Sequence, residues 1–287
     1  MSEPEASITV AVDPTNPGQF FACCGLLELA DRFWPETGAE GWFAADGREF
    51  RIACDGHTLA ELLADLVSSE VVPWQEIDEG KRFRLPNGVI VQALVAPIRL
   101  RMGHEQPSVL ILDAWMTTRF EKGVAVAVGN QPWNFWSGQQ KSLDIWSALR
   151  TKLVEQMAQI PSNTLDKLFT IRLFQKGRFG FDPGPAWNAL DVGFSPNEQG
   201  IEVESSPAVE MLAAVGVQRF RPQMAADRES FEYVTWYIPL GPAAAAAMMS
   251  GVASVAQAQR YRGCVVSRGS YAALGFSSPI LSGDSRE

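Results

Sequence analysis

The chain is poor in the residues that most often carry enzyme chemistry. It has two histidines, His57 and His104, and no nucleophile elbow, phosphate-binding loop or strand-linked G-x-G-x-x-G. Metal-ligand spacings such as H-x-x-x-H or D-x-D are also missing. The four cysteines form no C-x-x-C pair and are expected to be free thiols. We therefore expect no catalytic residues, no metal and no cofactor, although a site built from scattered carboxylates would escape this search.

Long apolar runs are missing as well. No stretch approaches 18 apolar residues without a charge or a breaker, so no membrane-spanning helix is expected. Residues Met1 to Ser7 are acidic and polar, unlike a signal peptide. These features predict a cytoplasmic protein, and the 46% of hydrophobic residues are enough for a sizeable core.

Charge is divided unevenly along the sequence. Residues 1–80 carry 3 basic and 16 acidic side chains, residues 81–183 carry 14 basic and 7 acidic, and residues 184–287 carry 7 basic and 10 acidic. A basic centre could follow a phosphate backbone despite the net charge of −9. Mixing of these charges on the folded surface is the competing interpretation. We divide the chain at the same points, into an acidic N-terminal part, a basic central core and a C-terminal part, or treat it as one continuous domain.

The pattern of apolar residues predicts an α+β fold with a mixed or mainly antiparallel sheet and two or three main helices. Helices are expected at 17–33, 58–67, 139–160, 207–217 and from 242. Strands are expected at 7–12, on both sides of the Asp46-Gly47 turn, at 89–95, 98–102, 109–112, 168–174 and 231–238, with short elements at 123–130, 264–266 and 271–276.

The helix at 17–33 is apolar nearly all the way round, so it should be buried, with Gly25 allowing another element to approach closely. Its end at Arg32-Phe-Trp-Pro35 has a faint counterpart in Arg219-Phe-Arg-Pro222, and both follow a helix of small residues. We slightly favour coincidence for this echo.

One segment combines aromatic rings with amides, Gly129-Asn-Gln-Pro-Trp-Asn-Phe-Trp-Ser-Gly-Gln-Gln-Lys141. Aromatic faces stack on unpaired bases, and amides hydrogen-bond base edges. The alternative is a loop whose rings fill the core. We take these residues as candidate nucleic-acid contacts: Asn130, Gln131, Trp133, Asn134, Trp136, Gln139, Gln140 and Lys141.

Basic residues of the central core are the second set of candidates. Pairs at i and i+2 on a strand lie on one face, where they suit successive phosphates, although a solvated face without a ligand is equally expected. The positions are Lys81, Arg82, Arg84, Arg99, Arg101, Lys176 and Arg178.

Several motifs resemble a family of CRISPR-associated proteins from type I-G systems, formerly type I-U or the "Dpsyc" subtype. They are Asp13-Pro-Thr-Asn-Pro-Gly-Gln-Phe-Phe-Ala-Cys-Cys-Gly-Leu-Leu-Glu-Leu-Ala30, Phe135-Trp-Ser-Gly-Gln139, Arg178-Phe-Gly-Phe-Asp182, Trp187-Asn-Ala-Leu-Asp-Val-Gly-Phe-Ser-Pro196, Pro207-Ala-Val-Glu-Met-Leu-Ala213 and Arg219-Phe-Arg-Pro222. Together they are spread over most of the chain.

The resemblance implies a short large-subunit-like component of the crRNA-guided surveillance (Cascade) complex. Such subunits help bind crRNA, read the protospacer-adjacent motif in target double-stranded DNA, contact other effector-complex subunits and recruit the helicase–nuclease. The short length puts the full set of roles in question. Two other classes stay open: a protein scaffold without nucleic-acid contact, and an enzyme with an aromatic-lined pocket for a small ligand.

Overall fold

The computed structural model describes residues 3–74, 82–103, 107–129, 133–136, 140–184, 202–225, 229–250, 253, 258–268 and 271–280. Within them, no helix combines the length and the apolar character needed to cross a membrane.

The helices begin at local signals that the sequence contains. Asn16 caps the helix Pro17–Phe33 by accepting a hydrogen bond from the Gln19 N–H. Thr58 and Glu61 form a capping box on the helix Leu59–Ser68, and Ser206 caps the helix Pro207–Arg219. The α-helices are α1 (Pro17–Phe33), α2 (Leu59–Ser68), α3 (Ser142–Gln159), α4 (Pro207–Arg219) and α5 (Pro242–Met249); 3-10 helices cover Pro35–Thr37, Ala93–Val95 and Ser162–Thr170.

The strands form several small sheets that are mostly antiparallel. They are β1 (Ile8–Ala11), β2 (Glu40–Phe43), β3 (Glu49–Ala53), β4 (Glu70–Val71), β5 (Arg82–Arg84), β6 (Ile90–Gln92), β7 (Ile98–Met102), β8 (Ser108–Leu112), β9 (Met116–Glu121), β10 (Val124–Gly129), β11 (Leu173–Gln175), β12 (Val203–Ser205), β13 (Gln223–Met224), β14 (Ser230–Trp236), β15 (Ala258–Arg268), β16 (Tyr271–Leu274) and β17 (Ser278–Pro279). The sheet orders are β1-β3-β2, β4-β7-β8, β5-β6-β10-β9, β11-β12 and β13-β14-β15-β16, with β17 also on β15. The β6–β10 pair is parallel.

Helices α1 and α4 pack against each other at the centre of the molecule. A Cβ added to Gly25 would overlap the carbonyl oxygen of Leu212, and one added to Gly216 would overlap the carbonyl oxygen of Phe21. Each glycine thus faces the carbonyl four residues before the other glycine, so the contact is reciprocal. The close approach predicted at Gly25 is confirmed, and the burial of α1 is confirmed as well.

The N-terminal and C-terminal sheets meet on the other side of α1. The Phe20 ring lies 5.8 Å from Phe43 of β2 and 4.3 Å from Tyr233 of β14. Backbone hydrogen bonds also join Gly41 to Leu240 in both directions. The main hydrophobic core therefore draws residues from all three charge-defined parts of the chain, and a small second cluster lies in the β5-β6-β10-β9 sheet.

The predicted α+β class with mostly antiparallel sheets is confirmed. Two elements are assigned wrongly. A strand is expected at 168–174, whereas a 3-10 helix covers Ser162–Thr170 and β11 begins only at Leu173. A strand is also expected at 89–95, whereas β6 ends at Gln92 and a 3-10 helix covers Ala93–Val95. The two helices that carry the sequence echo are the two that pack together, which gives the echo a structural counterpart.

Candidate nucleic-acid interface

Three of the predicted basic residues surround one cleft, which we call the basic cleft. Arg82 lies on β5, Arg99 on β7, and Lys141 immediately before α3, and all three line a cavity of about 250 Å³. Trp74 and the carboxylate residue Asp144 also line it. Positions separated by up to 67 residues along the chain therefore present three cations and one aromatic ring to the same volume.

The wall of the basic cleft is built around Trp74. The indole N–H of Trp74 donates to the carbonyl of Pro97 at 2.7 Å, which fixes the ring against the start of β7. The guanidinium of Arg99 lies 4.0 Å from the centre of the Trp74 ring and donates to the carbonyl of Pro73. Such a cation–π contact restrains the arginine while leaving its charge in place. The buried Nε of Arg99 has no hydrogen-bond partner within the described part of the chain.

A second cavity of about 250 Å³ lies beside the cleft, and we call it the amide cavity. Gln92, Asn134 and Gln140 line it together with Trp136. Two of these amides belong to the aromatic–amide segment, and they are half-buried rather than exposed. The structure thus brings Asn134 and Gln140 together with an amide on β6 that the sequence did not single out.

The aromatic rings of that segment have a different environment from the one predicted. Trp133 and Trp136 are buried. The Trp133 ring contacts Phe21 and Phe231 at 5.6 and 5.7 Å, and Trp136 packs on Trp115 and Phe179 at 5.5 and 5.4 Å. The predicted stacking of Trp133 and Trp136 on bases is therefore corrected: rings of the core occupy their surroundings, which is the alternative stated for this segment.

Arg178 is also corrected. It is 2% exposed and lies beside the buried carboxylate of Glu210, too deep to reach a phosphate at the surface. Burial raises the pKa of Glu210, while the charge of Arg178 and hydrogen bonds from the N–H groups of Phe181 and Asp182 oppose that shift. Arg178 thus offsets a charge inside the protein.

The remaining predicted residues are distributed over other surfaces. Arg84 and Arg101 are exposed, and Arg101 pairs with Glu70 at 2.8 Å. Lys176 is exposed but does not line the basic cleft. As expected for i and i+2 positions, Arg99 and Arg101 lie on the outward face of β7. Four candidates lie outside the described residues: Lys81, Asn130, Gln131 and Gln139.

The motifs that carry the family resemblance meet inside the fold. Asp182 accepts a hydrogen bond from the Ser206 N–H at 3.1 Å and lies 3.5 Å from the Asn16 amide nitrogen, so one carboxylate links the N-terminal caps of α1 and α4. Phe135 contacts the Phe181 ring at 5.8 Å. These motif residues stabilise the central helix pair, so they mark the fold more directly than a binding surface.

Groups suited to acid–base or metal chemistry are scattered where the structure describes them. No group of three His, Cys, Asp or Glu residues there could hold a metal ion. His57 stacks on Trp34 with ring centres 4.1 Å apart. Cys23 and Cys24 are buried free thiols whose pKa values are raised by burial.

Sequence reasoning missed Trp74, Gln92 and Asp144. Trp74 precedes an acidic run and is 25 residues from Arg99, so no local pattern joins it to the basic residues. Gln92 is directly opposite Arg82 in the β5–β6 pair, a relation that only the strand register reveals.

Comparisons with protein-family models, with curated proteins and with solved structures find no match to this chain.

Proposed function

We propose that this chain is a non-catalytic, large-subunit-like component of a type I CRISPR surveillance complex, similar to those of type I-G systems. In this role it helps bind crRNA, recognises the protospacer-adjacent motif in target double-stranded DNA, and recruits the helicase–nuclease. The observation that supports nucleic-acid contact is the convergence of Arg82, Arg99 and Lys141 on one cleft beside Trp74. The family assignment itself rests on the motifs given above.

The charge of the basic cleft suits the binding of a phosphate backbone. Three cations around one cavity attract polyanions. The Arg99 guanidinium, 4.0 Å from the centre of the Trp74 ring, keeps its charge and can pair with a phosphate. Asp144 reduces the net charge of the cleft but leaves it positive. No cofactor or metal is part of the proposal, and we place the complex in the cytoplasm.

A scaffold role without nucleic-acid contact is a second candidate, and the outer face of β8 favours it. Val109 and Ile111 are 49% and 42% exposed there, next to Arg101 and Arg99 of β7. Exposed apolar residues beside cations suit a protein partner. An enzyme with an aromatic-lined pocket is the weaker third candidate, and its support is the presence of Trp74 in the basic cleft and of Trp136 in the amide cavity.

Salt-dependent binding separates these candidates. We would change Arg82, Arg99 and Lys141 together to Ala and measure the affinity of the full chain for guide-like RNA and for duplex DNA over a range of salt. Because each phosphate contact releases counterions, the salt slope should fall by about 2–3 units as affinity drops.

A matched variant with Arg51, Lys152 and Arg260 changed to Ala removes the same charge away from the cleft. These residues pair with neighbouring carboxylates on other surfaces. This control should keep most of the affinity and of the slope. Equal losses in both variants would indicate net charge rather than the cleft, and no binding by the unmodified chain would favour the scaffold role.

A further inference from the structure

The basic cleft and the amide cavity share a wall. Gln140 lines the amide cavity and Lys141 lines the basic cleft, and consecutive Cα atoms are only about 3.8 Å apart. The same division recurs on the sheet, where Arg82 lines the cleft and its directly opposite neighbour Gln92 lines the amide cavity. The two cavities are therefore neighbours along two independent segments.

Two hydrogen bonds hold these segments together. Ser142, the first residue of α3, donates its hydroxyl to the carbonyl of Ala96 at 2.6 Å. The indole N–H of Trp136 donates to the carbonyl of Leu94 at 3.1 Å. Both bonds attach the start of α3 and its preceding loop to the turn that follows β6, so the shared wall is fixed on both sides.

The chemistry of the two cavities is complementary. The described lining of the amide cavity contains three amides, one indole, apolar side chains and Gly129, with no charged group. The basic cleft supplies the cations. Amides both donate and accept hydrogen bonds, which suits the polar edge of a neutral planar ring, whereas an anion would gain little there.

One side chain of the amide cavity has an oxygen without a hydrogen-bond partner. The buried Oε1 of Gln140 has no hydrogen-bond partner among the residues that the structure describes. A rotation of the Gln140 amide would turn this oxygen towards the cavity, where it could accept a hydrogen bond from a donor on a bound ring. The volume of about 250 Å³ is also many times what one water molecule needs.

We propose that the amide cavity takes a single unpaired nucleobase whose adjoining phosphate is held in the basic cleft. Charge recognition and base recognition are then separated on the two sides of Gln140–Lys141. This inference rests on the proposed nucleic-acid function and adds to it the ligand class of a defined cavity. It also gives a role to the half-buried amides of Asn134 and Gln140, with the buried Trp136 as part of the cavity wall.

The test compares base preference rather than affinity alone. Binding of short single-stranded homopolymers of A, C and U is measured for the full chain and for the Gln92→Ala/Gln140→Ala variant. The unmodified chain should prefer one base by about tenfold or more, as paired amide contacts do, and the double variant should lose that preference. Lys141→Ala should weaken all three homopolymers by a similar factor, because phosphate contacts carry no base information.

Two controls distinguish a loss of stability from a loss of base recognition. Asn163→Ala removes an exposed amide from the 3-10 helix at Ser162–Thr170 and should leave the preference intact. Gln140→Glu keeps the side-chain volume but replaces the donor group, so it should change the order of preference even if Gln140→Ala lowers the unfolding midpoint. A preference that survives in both Gln140 variants, or an unmodified chain that binds all bases equally, would overturn the inference. Failure to bind any homopolymer while duplex DNA still binds would also overturn the inference, whereas failure to bind guide-like RNA, duplex DNA and homopolymers alike would overturn the proposed function.

Discussion

The reciprocal contact of Gly25 and Gly216 predicts that a side chain at either position lowers the free energy of unfolding. In Gly25→Ala the new Cβ would meet the carbonyl group of Leu212 and come within 3.3 Å of the Gly216 nitrogen. These are backbone atoms of a helix, so they cannot rotate away as a side chain would. The α1–α4 pair must separate, and every contact along it loosens.

The expected magnitude combines two opposing effects. Overpacking of a core typically costs about 1–3 kcal/mol. Replacing a helical glycine by alanine recovers up to about 1 kcal/mol through helix propensity. Since the obstructing atoms are backbone, we expect the overpacking cost to lie at its upper end, which leaves a net loss of about 2 kcal/mol in the free energy of unfolding for Gly25→Ala and a similar loss for Gly216→Ala.

The two substitutions should also couple. Once one Cβ has pushed the helices apart, the second finds space already open, so the double variant should cost less than the sum of the single variants. Urea unfolding with an unchanged m-value measures all three. Gly241→Ala is the control, because its Cβ would have no heavy atom closer than 3.8 Å and only the N-cap preference of α5 is at stake. Unchanged midpoints for the single variants, or costs that simply add, would refute the reciprocal contact.

Two further predictions concern buried polar groups. Glu28 is 1% exposed and forms ion pairs with the Nε atoms of Arg32 and Arg219, both at 2.6 Å. Glu28→Gln should therefore lower the free energy of unfolding by about 1–3 kcal/mol, and Arg32→Gln should lower it less because the Arg219 pair remains. Equal losses for the two variants in urea unfolding would contradict this. Burial raises the pKa of Tyr261 to about 12, so the folded state holds this proton more tightly than the unfolded state and stability should fall as the pH rises from 10 towards 12. Tyr261→Phe should reduce that fall in a pH series of urea midpoints, and an identical slope in the variant would contradict it.

Local signals were enough to predict most helices. Asn16-Pro17 and Pro207 mark helix starts that the structure confirms, because capping and a fixed proline φ act within a few residues. The alternation at 168–174 led to a wrong strand prediction, because a short apolar run fits the period of a helix as well as that of a strand. There the chain forms a 3-10 helix whose Leu168 and Phe169 are buried.

The sequence predicts the charged residues of the candidate site but not their arrangement. Arg82, Arg99 and Lys141 were identified as cations, but nothing in the sequence says that they share a cleft with Trp74. The aromatic–amide segment is equally typical of a base-binding loop and of a core plug. What decides is the presence of Phe21, Phe179 and Phe231 around its rings, and those residues come from distant parts of the chain.

The α1–α4 pair at the centre of the fold can form only late during translation. Gly25 and Gly216 are 191 residues apart, so α1 has no α4 to pack against until most of the chain has been made. At about 5–20 residues per second, the interval is roughly 10–40 s, during which the almost wholly apolar α1 lacks its largest contact. Non-local contacts of this kind slow folding and prolong exposure of apolar surface. Apolar surface of α1 is therefore expected to stay uncovered in the nascent chain until α4 has emerged.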